Sequence, residues 1–494
     1  MVAVQASTVA RVTGIEFPYK DLRGGATTFL PQRIAVIGQG ATASTYDTTK
    51  LQVTSALEVG QTYGFGSPLH LAVLQLLPTN GDGVGVIPVT VYPLEDDASG
   101  AASTGTITPA GEPTVAAEYV VRINNIDSAA FVISVGDVVA DVTAAMTAAI
   151  NANVNMPVTA ADGTTVVNLT SKWEGTSAND IFVEVVGSTT AGNTFTIVQP
   201  TGGLVNPDIS TAIDQIGDVW ESLILNCFES TDTDILDDLE TWGEGRWQPL
   251  VAKMAIAFSG TNESSVTTAI AVPDARKTDR VNCQLVSPGS NDLPCVIAAR
   301  QLARIAVVAN DNPARDYGSQ KATGLTPGLD SAQWTHTQRD QAVKGGSSTI
   351  TVKDGIVNLS DIVTYYHPSG DPLPPYRFVA QIVRLQQKSF NLKLIFETEE
   401  WDGAPLVPDD QAVINPAARK PKDAVAAIAS MLDGLAAQSI ISGLERAKTT
   451  ITATISPTNG DRLDISLTDQ NSGNTRIKSI TNNWGFYFGT PTAV

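Results

Sequence analysis

Apolar and polar positions alternate along the chain in blocks that predict a mixed α/β core. Arg33–Gly38 (RIAVIG) is a nearly continuous apolar run of the kind that forms a buried strand. Ser67 is a typical N-cap residue, and the apolar positions in Pro68–Leu77 predict a helix behind it. Val84–Tyr92 (VGVIPVTVY) predicts a second strand, in which Pro88 indicates an edge or a bulge.

The same alternation of strand and helix patterns returns further along the chain. Leu223–Leu225, Val251–Phe258 and Val281–Val286 are predicted strands, and Leu293–Val308 is a long apolar helix. Strands that alternate with helices are typical of a largely parallel sheet with helices on its faces.

The segment 94–204 differs in composition from what surrounds it. It contains twelve acidic residues but only two basic ones, Arg122 and Lys172. Alternating apolar positions predict several strands here, and Val139–Ile150 has the spacing of an amphipathic helix. We therefore expect an exposed β-rich domain inserted into the α/β core.

Two hairpins are predicted in the C-terminal third. In the first, Thr349–Val352 and Ile356–Leu359 flank Asp354–Gly355, a dipeptide that favours a two-residue turn. Ile451–Ile455 and Leu463–Leu467 predict the second. These patterns indicate an α+β domain.

Helices are harder to delimit in that third. Asp423–Leu435 has helical spacing, and Gly434 is expected to end or kink the helix. For Phe378–Leu385 and Phe390–Phe396, periodicity leaves both helix and strand open.

Both ends of the chain read as strands that have no neighbour in sequence to pair with. A lone strand exposes a row of unsatisfied backbone groups, so it must pair with a distant strand or with another chain. We therefore predict inter-subunit strand donation. The residues predicted to carry it are Val4, Val9, Val12 and Ile15 at the start, and Trp484, Phe486 and Phe488 at the end.

Charge and composition exclude several functions. The formal net charge of −20 disfavours nucleic acid as a partner. The first 30 residues contain no apolar core of a secretory signal, and no apolar run is long enough to span a bilayer. The three cysteines, at 227, 283 and 295, form no metal or redox spacing and predict small buried side chains in a reducing compartment. We therefore expect synthesis in a cytoplasm and no membrane insertion.

The motifs of catalysis are mostly missing. Gly38–Ala43 (GQGATA) fits a dinucleotide-binding turn, but Ser44–Thr49 behind it is a poor helix former. His70, His336 and His367 lie far apart in sequence and match no metal or triad pattern. We expect no catalytic residue, no cofactor and no metal. A nucleotide-binding α/β enzyme using Gly38–Ala43 remains the alternative, and a surface adhesin is disfavoured by the missing export signal.

One basic patch stands out against this acidic background. Arg419, Lys420 and Lys422 precede the helix that is predicted from Asp423. A solvated helix start is one explanation of the patch, and a contact with an acidic protein partner is the other.

Several short segments, taken in order, resemble the contractile phage tail sheath proteins, most nearly the Mu-like type. Each motif is weakly specific, but their order spans nearly the whole chain. The segments that carry the resemblance are Pro31–Gly40, Tyr63–Leu69, Asn179–Ile181, Asn312–Arg315 and Leu325–Gly328, with Ala178 standing where the family often has glycine.

The resemblance implies a structural protein of the virion. Subunits of this family polymerise helically around an inner tail tube and contract to drive that tube through the host cell envelope. The implied partners are further copies of the chain, the inner tube protein, and the baseplate and tail terminator proteins, with assembly in the host bacterial cytoplasm. The resemblance also implies that Arg419, Lys420 and Lys422 form a candidate inner-tube contact.

Together these observations predict an α/β core with a mixed, largely parallel sheet, an inserted β-rich domain, an α+β C-terminal domain and extended terminal arms. The predicted boundaries are 1–30 for the N-terminal arm, 31–93 and 205–330 for the core, 94–204 for the insert, 331–480 for the C-terminal domain and 481–494 for the C-terminal arm.

Overall fold

A computed structural model describes residues 27–188, 191–371, 374–482 and 484. The chain divides into two units. Of the described residues, the first unit, here called the core unit, contains those within Phe29–Phe390 and 473–484, and the second, the C-terminal unit, contains Thr27, Thr28 and Asn391–Ser472. The predicted domain boundaries stay predictions.

Strands and helices are numbered in chain order. The strands are β1 (Ile34–Gln39), β2 (Leu51–Val53), β3 (Val89–Leu94), β4 (Ala102–Ala110), β5 (Ala117–Ile123), β6 (Ile126–Asp127), β7 (Phe131–Ile133), β8 (Val158–Asp162), β9 (Val167–Glu174), β10 (Val183–Gly187), β11 (Thr194–Thr201), β12 (Leu223–Glu229), β13 (Ile256–Thr261), β14 (Asn282–Val286), β15 (Ile350–Lys353), β16 (Ile356–Leu359), β17 (Ile441–Ser442), β18 (Thr452–Ile455), β19 (Leu463–Ser466) and β20 (Gln470–Asn471). The helices are α1 (Ala56–Tyr63), α2 (Pro68–Leu76), α3 (Val139–Ala152), α4 (Ser210–Ile216), α5 (Thr233–Trp247), α6 (Val266–Ala269), α7 (Ala271–Ala275), α8 (Pro294–Asp311), α9 (His336–Lys344), α10 (Val379–Phe396), α11 (Pro421–Ala437) and α12 (Leu444–Thr449), with a 3₁₀ helix at Thr176–Asp180.

A six-stranded, largely parallel sheet forms the centre of the core unit, as the sequence predicts. Its strand order is β14-β13-β12-β1-β3-β2, and only the β2–β3 pair is antiparallel. Alternate side chains of β1 enter different hydrophobic clusters, Ile34 and Val36 on one face and Ala35 and Ile37 on the other. Helices α2 and α8 pack on the first face, and α4 and α5 contribute to the second. Fully burying such aliphatic side chains contributes about 1.5–3 kcal/mol each.

Two strand predictions need correction at their starts. The strand expected over Val84–Tyr92 begins only at Val89, and it lies inside the sheet, between β1 and β2. Pro88 lies just before the strand, because proline has no N–H to donate to a neighbouring strand. The Pro88 carbonyl accepts a hydrogen bond from the Ile34 amide (3.0 Å). The strand expected from Val251 begins at Ile256.

The helix that follows Ser67 is confirmed. The Ser67 side chain accepts a hydrogen bond from the His70 amide, and Pro68 occupies the first turn, where a missing N–H does no harm. At the start of α8, Pro294 takes the same position.

The acidic segment after β3 folds into two antiparallel sheets and a helix. Strands β10, β5 and β6 form one sheet, in which β7 also pairs with β5, and the other has the order β11-β4-β9-β8. Helix α3 buries Val142, Met146 and Ile150, three of the positions that predicted it. These residues belong to the same hydrophobic cluster as the α8 face of the central sheet.

The first predicted hairpin, β15–β16, is confirmed. Asp354 and Gly355 have φ values of 52° and 72°, which match the left-handed turn that such dipeptides favour. The ambiguous region around 378–396 is one helix, α10. Within the core unit α10 buries polar as well as apolar side chains, and the Gln386 amide donates to the carbonyls of Met254 and Ser222 (3.0 and 3.4 Å).

In the C-terminal unit, α11 does not end at Gly434, as the sequence allowed. The helix continues to Ala437. Thr27 packs where a side chain would otherwise stand, since a Cβ on Gly434 would meet Thr27 Oγ1 at 2.4 Å. Close packing, and not helix termination, accounts for this glycine. The second predicted hairpin, β18–β19, is confirmed and packs against α11.

Candidate assembly surface

The Gly38–Ala43 turn has the geometry of a packed loop and not of a phosphate cradle. It follows β1, but no helix begins behind it before α1. The Tyr46 hydroxyl accepts from the Gly40 amide (3.1 Å) and donates to the Leu94 carbonyl (2.9 Å). A Cβ on Gly40 would lie 2.5 Å from the Tyr46 ring. Because the tyrosine fills the space above the turn, the nucleotide-binding alternative is not supported.

The three cysteines, His70 and His367 occupy structural positions, whereas His336 is exposed at the start of α9. All three cysteines are free and buried, and burial raises the pKa of each thiol. His70 Nδ1 accepts from the Gly66 amide, while burial, with the nearby Lys172 charge, lowers its pKa to about 4. His367 Nε2 lies 3.1 Å from an Asp274 carboxylate oxygen. Within the described residues no group of three or more His, Cys, Asp or Glu side chains could hold a metal.

The acidic run after residue 231 is the polar side of α5. Asp232 caps the helix by accepting from the Ile235 amide. Asp237 and Glu240 both form ion pairs with Arg276, at 2.5 and 2.6 Å. These contacts give Asp232, Asp237 and Glu240 structural roles on the polar side of the helix.

A pair of buried carboxyl groups escaped the sequence analysis. Asp180 ends the 3₁₀ helix of the acidic segment, Glu229 ends β12, and both line one polar cavity of ≈ 160 Å³. Burial, followed by the Glu229 charge, raises the pKa of Asp180 to about 7, and burial also raises the pKa of Glu229. Thr176 Oγ1 and Asn206 Nδ2 donate to Glu229 Oε1, whereas its Oε2 is buried and finds no hydrogen-bond partner among the described residues.

The three basic residues at the start of α11, Arg419, Lys420 and Lys422, differ in how accessible they are to a partner. Arg419 is engaged by Glu400 (2.8 Å) and by backbone carbonyls, and only 19% of its side chain is exposed. The Lys420 ammonium donates to the carbonyl of Gln411. Lys422 is exposed, and the described residues give its side chain no hydrogen bond or ion pair. The three lie side by side, and Lys422 is the most exposed of them, while Arg419 and Lys420 are partly buried.

Small sheets in the C-terminal unit carry open backbone edges. Among the described residues, β18 pairs with β19 alone and β17 with β20 alone. An isolated two-stranded hairpin is marginally stable in water and gains from a third strand. These edges are therefore places where a further strand can add by backbone hydrogen bonds.

Most of the predicted strand-donating residues lie outside the described part of the chain. These are Val4, Val9, Val12, Ile15, Phe486 and Phe488. Trp484 is described, and 73% of its surface is exposed. No helix in the described ranges combines the length and apolarity that a membrane crossing requires.

Sequence comparison finds one informative relative. No protein-family model matches the chain. Over 396 residues it is 26% identical to a Mu-like prophage tail sheath protein of Haemophilus influenzae, a match that covers 77% of this chain and 78% of that protein.

Solved structures give similarities of lower precision. The chain is similar to a sheath tail protein of Listeria innocua (TM-score 0.48, 13% identity, covering 91% of this chain and 94% of that one). It is similar to a sheath tail protein of Desulfitobacterium hafniense, with a TM-score of 0.46 and 12% identity, and the match covers 93% of this chain and 100% of that one. A third similarity is to the helical sheath of the anti-feeding prophage in its contracted state, with a TM-score of 0.47 and 11% identity, and the match covers 97% of this chain and 100% of that one.

Proposed function

We infer the function of this chain from one premise: it is a homologue of the Mu-like prophage tail sheath proteins, so the resemblance that the motifs indicated is confirmed. The chain is a structural subunit of a contractile tail sheath. It polymerises helically around an inner tail tube and contracts to drive that tube through the host envelope. The sequence match over 77% of the chain carries this proposal.

The partners follow from that role. The main partner is a further copy of the same chain, since head-to-tail contacts that do not close generate helical filaments. The inner tube, baseplate and terminator proteins are the others, and assembly takes place in the host cytoplasm. The packed Gly38–Ala43 turn agrees with a structural role.

Strand donation supplies the contacts between subunits. The apolar ends, through Val4–Ile15 and Trp484–Phe488, add strands to the C-terminal unit of neighbouring copies. The open edges of β18–β19 support this assignment. A donated strand with about four to six backbone hydrogen bonds, at roughly 0.5–1.5 kcal/mol each, contributes several kcal/mol.

The inner-tube contact is assigned to the start of α11. Lys422 supplies the exposed charge, while Arg419 and Lys420 hold the loop before the helix through Glu400 and Gln411. Lys422→Glu should therefore weaken co-sedimentation of the sheath with inner tubes and leave self-assembly intact. Lys353→Glu, a charge reversal at the tip of the β15–β16 hairpin, is the matched control.

Electron microscopy of the purified protein tests the function directly. We expect long hollow tubes without added ligand. Deleting residues 1–20 should leave a folded, soluble protein that forms no tubes, because the donor strand is gone. Normal tubes from that truncation would refute strand donation by the N-terminal arm, and no tubes from the intact chain in any condition would refute the sheath assignment.

A further inference from the structure

The C-terminal unit contains an open groove of ≈ 590 Å³. It lies between the residues of α10 from Asn391 onward, the loop behind them, and α11. Its apolar lining includes Leu394, Ile395, Trp401 and Met431. Cavities of roughly 300–1,000 Å³ with mostly apolar walls are the size that binds small ligands or a few side chains.

The chain enters the described part of the molecule at the mouth of this groove. Thr27 itself lines it. The Asn391 side chain grips the backbone of Thr28 on both sides, accepting from its amide (3.1 Å) and donating to its carbonyl (3.1 Å). The Gln438 amide donates to the Thr27 carbonyl (3.0 Å). These hydrogen bonds fix where the preceding residues start.

We propose that this groove binds Phe17–Leu22 of the same chain and so anchors the root of the N-terminal arm on its own C-terminal unit. The inference is separate from the donation of Val4–Ile15 to a neighbour, which lies further along the arm and needs a second subunit.

Chain length favours binding within one subunit. Leu22 is five residues from Thr27, and at about 3.3–3.6 Å per residue it lies no more than about 18 Å away. The groove wall from Asp423 to Met431 is eight helical residues long, or about 12 Å. Phe17–Leu22 is thus close enough along the chain to reach the groove without leaving its own copy.

Composition fits the same occupant. Phe17, Tyr19 and Leu22 offer three apolar side chains to the lining, and each contributes roughly 1.5–3 kcal/mol when fully buried. Lys20 and Arg23 would lie near Glu400 and Asp423, the acidic residues of the groove.

Engineered thiols test this placement, because all three native cysteines are buried and slow to react. The double variant Lys20→Cys/Ala427→Cys places one thiol on the arm root and one in the groove. A disulfide needs Cβ atoms within about 3.5–4.5 Å. We expect rapid oxidation to a monomer of altered mobility in non-reducing gels, in dilute unpolymerised protein. The matched control, Lys20→Cys/Asp461→Cys, has its second thiol at an exposed site outside the groove and should oxidise slowly.

Two outcomes would overturn the proposal. One is a groove pair that oxidises no faster than its control. The other is cross-linking only between copies, seen as dimers when the two single-cysteine proteins are mixed, which would place a neighbour's arm in the groove. Neither depends on tube formation, so a failure here is distinct from a failure of the sheath assignment.

A second measurement needs no cysteine. Trypsin should cut slowly at Lys20 and Arg23 in the intact protein. Leu394→Glu introduces a charge into the groove at a position that is 46% exposed, so the fold tolerates it, and cleavage should become several-fold faster. Ile414→Glu, which alters an exposed apolar residue outside the groove, should leave the rate unchanged. Equal rates in the two variants would contradict the proposal.

Discussion

The buried carboxyl pair makes stability depend on pH in a direction opposite to that of most carboxylates. Asp180 lines the cavity at the end of β12 together with Glu229, and its pKa rises from the usual 3.8 to about 7. A carboxyl group whose pKa is higher in the folded than in the unfolded state stabilises the folded state. This stabilisation is complete at pH values below the pKa of the unfolded state. That contribution is lost as the pH rises towards 7. The variant Asp180→Asn keeps the size of the protonated acid and removes the ionisation.

The expected magnitude follows from the shift. Each pKa unit corresponds to 1.36 kcal/mol. The raised pKa of Asp180 therefore lowers the unfolding free energy of the wild type by about 4 kcal/mol at pH 8 and by about 2 kcal/mol at pH 5. With an unfolding entropy of about 2.1 cal/mol/K per residue over the roughly 380 residues of the core unit, Asp180→Asn should raise the Tm by about 5 °C at pH 8 and about 2 °C at pH 5. The pKa of Glu229 is raised as well, so this residue also makes the wild type less stable as the pH rises.

Thermal unfolding followed by circular dichroism at several pH values between 5 and 8 measures this difference. Asp214→Asn is the control, because Asp214 is an exposed carboxylate on α4 in the same unit. Its Tm difference from wild type should not change with pH. A gain for Asp180→Asn that is equal at pH 5 and pH 8, or a loss at pH 8, would refute the reasoning.

Four further substitutions test the packing. Gly434→Ala should lower the unfolding free energy by about 1–3 kcal/mol, because the new methyl group overpacks against Thr27. Gly245→Ala has open space around it and should raise the unfolding free energy by about 0.5–1 kcal/mol. Equal denaturation midpoints for the two variants would contradict this. Met146→Ala should cost about 2–5 kcal/mol in urea unfolding, because it leaves a cavity in the core, and a loss below 1 kcal/mol would show that the site collapses. Gly40→Ala should lower the Tm by overpacking the tyrosine above it, with no nucleotide binding in calorimetry before or after the change; measurable binding that this substitution abolishes would revive the enzyme alternative.

Local signals predicted the regular elements well. Arg33–Gly38 coincides with β1 to within one residue at each end, and Asp354–Gly355 adopts the left-handed turn its composition favours. Both signals act over a few residues, so the sequence contains them. The start of β3 was misplaced because Val84–Ile87 is apolar enough for a strand, and only pairing with β1 decides that the ladder begins at Val89. The helical state of α10 likewise depends on what its faces pack against.

The residues of the candidate sites were predictable only where the signal is local in sequence. The basic patch at the start of α11 was visible in the sequence as a run of charges, but the ion pair between Arg419 and Glu400 joins residues nineteen positions apart and could not be predicted. Asp180 and Glu229 are further apart still, and each is an ordinary acidic residue in its own segment. Their raised pKa values arise from burial and proximity, which only the tertiary fold creates.

The open hairpins have a thermodynamic consequence for the sheath. If neighbours complete β18–β19, each subunit reaches its full stability only by association, and folding and growth of the filament share one equilibrium. Mass action then sets the melting temperature, which should rise with protein concentration in a way that a self-contained domain would not show. Dilution alone would then destabilise the C-terminal unit, and addition to the filament would complete the folding of each new subunit.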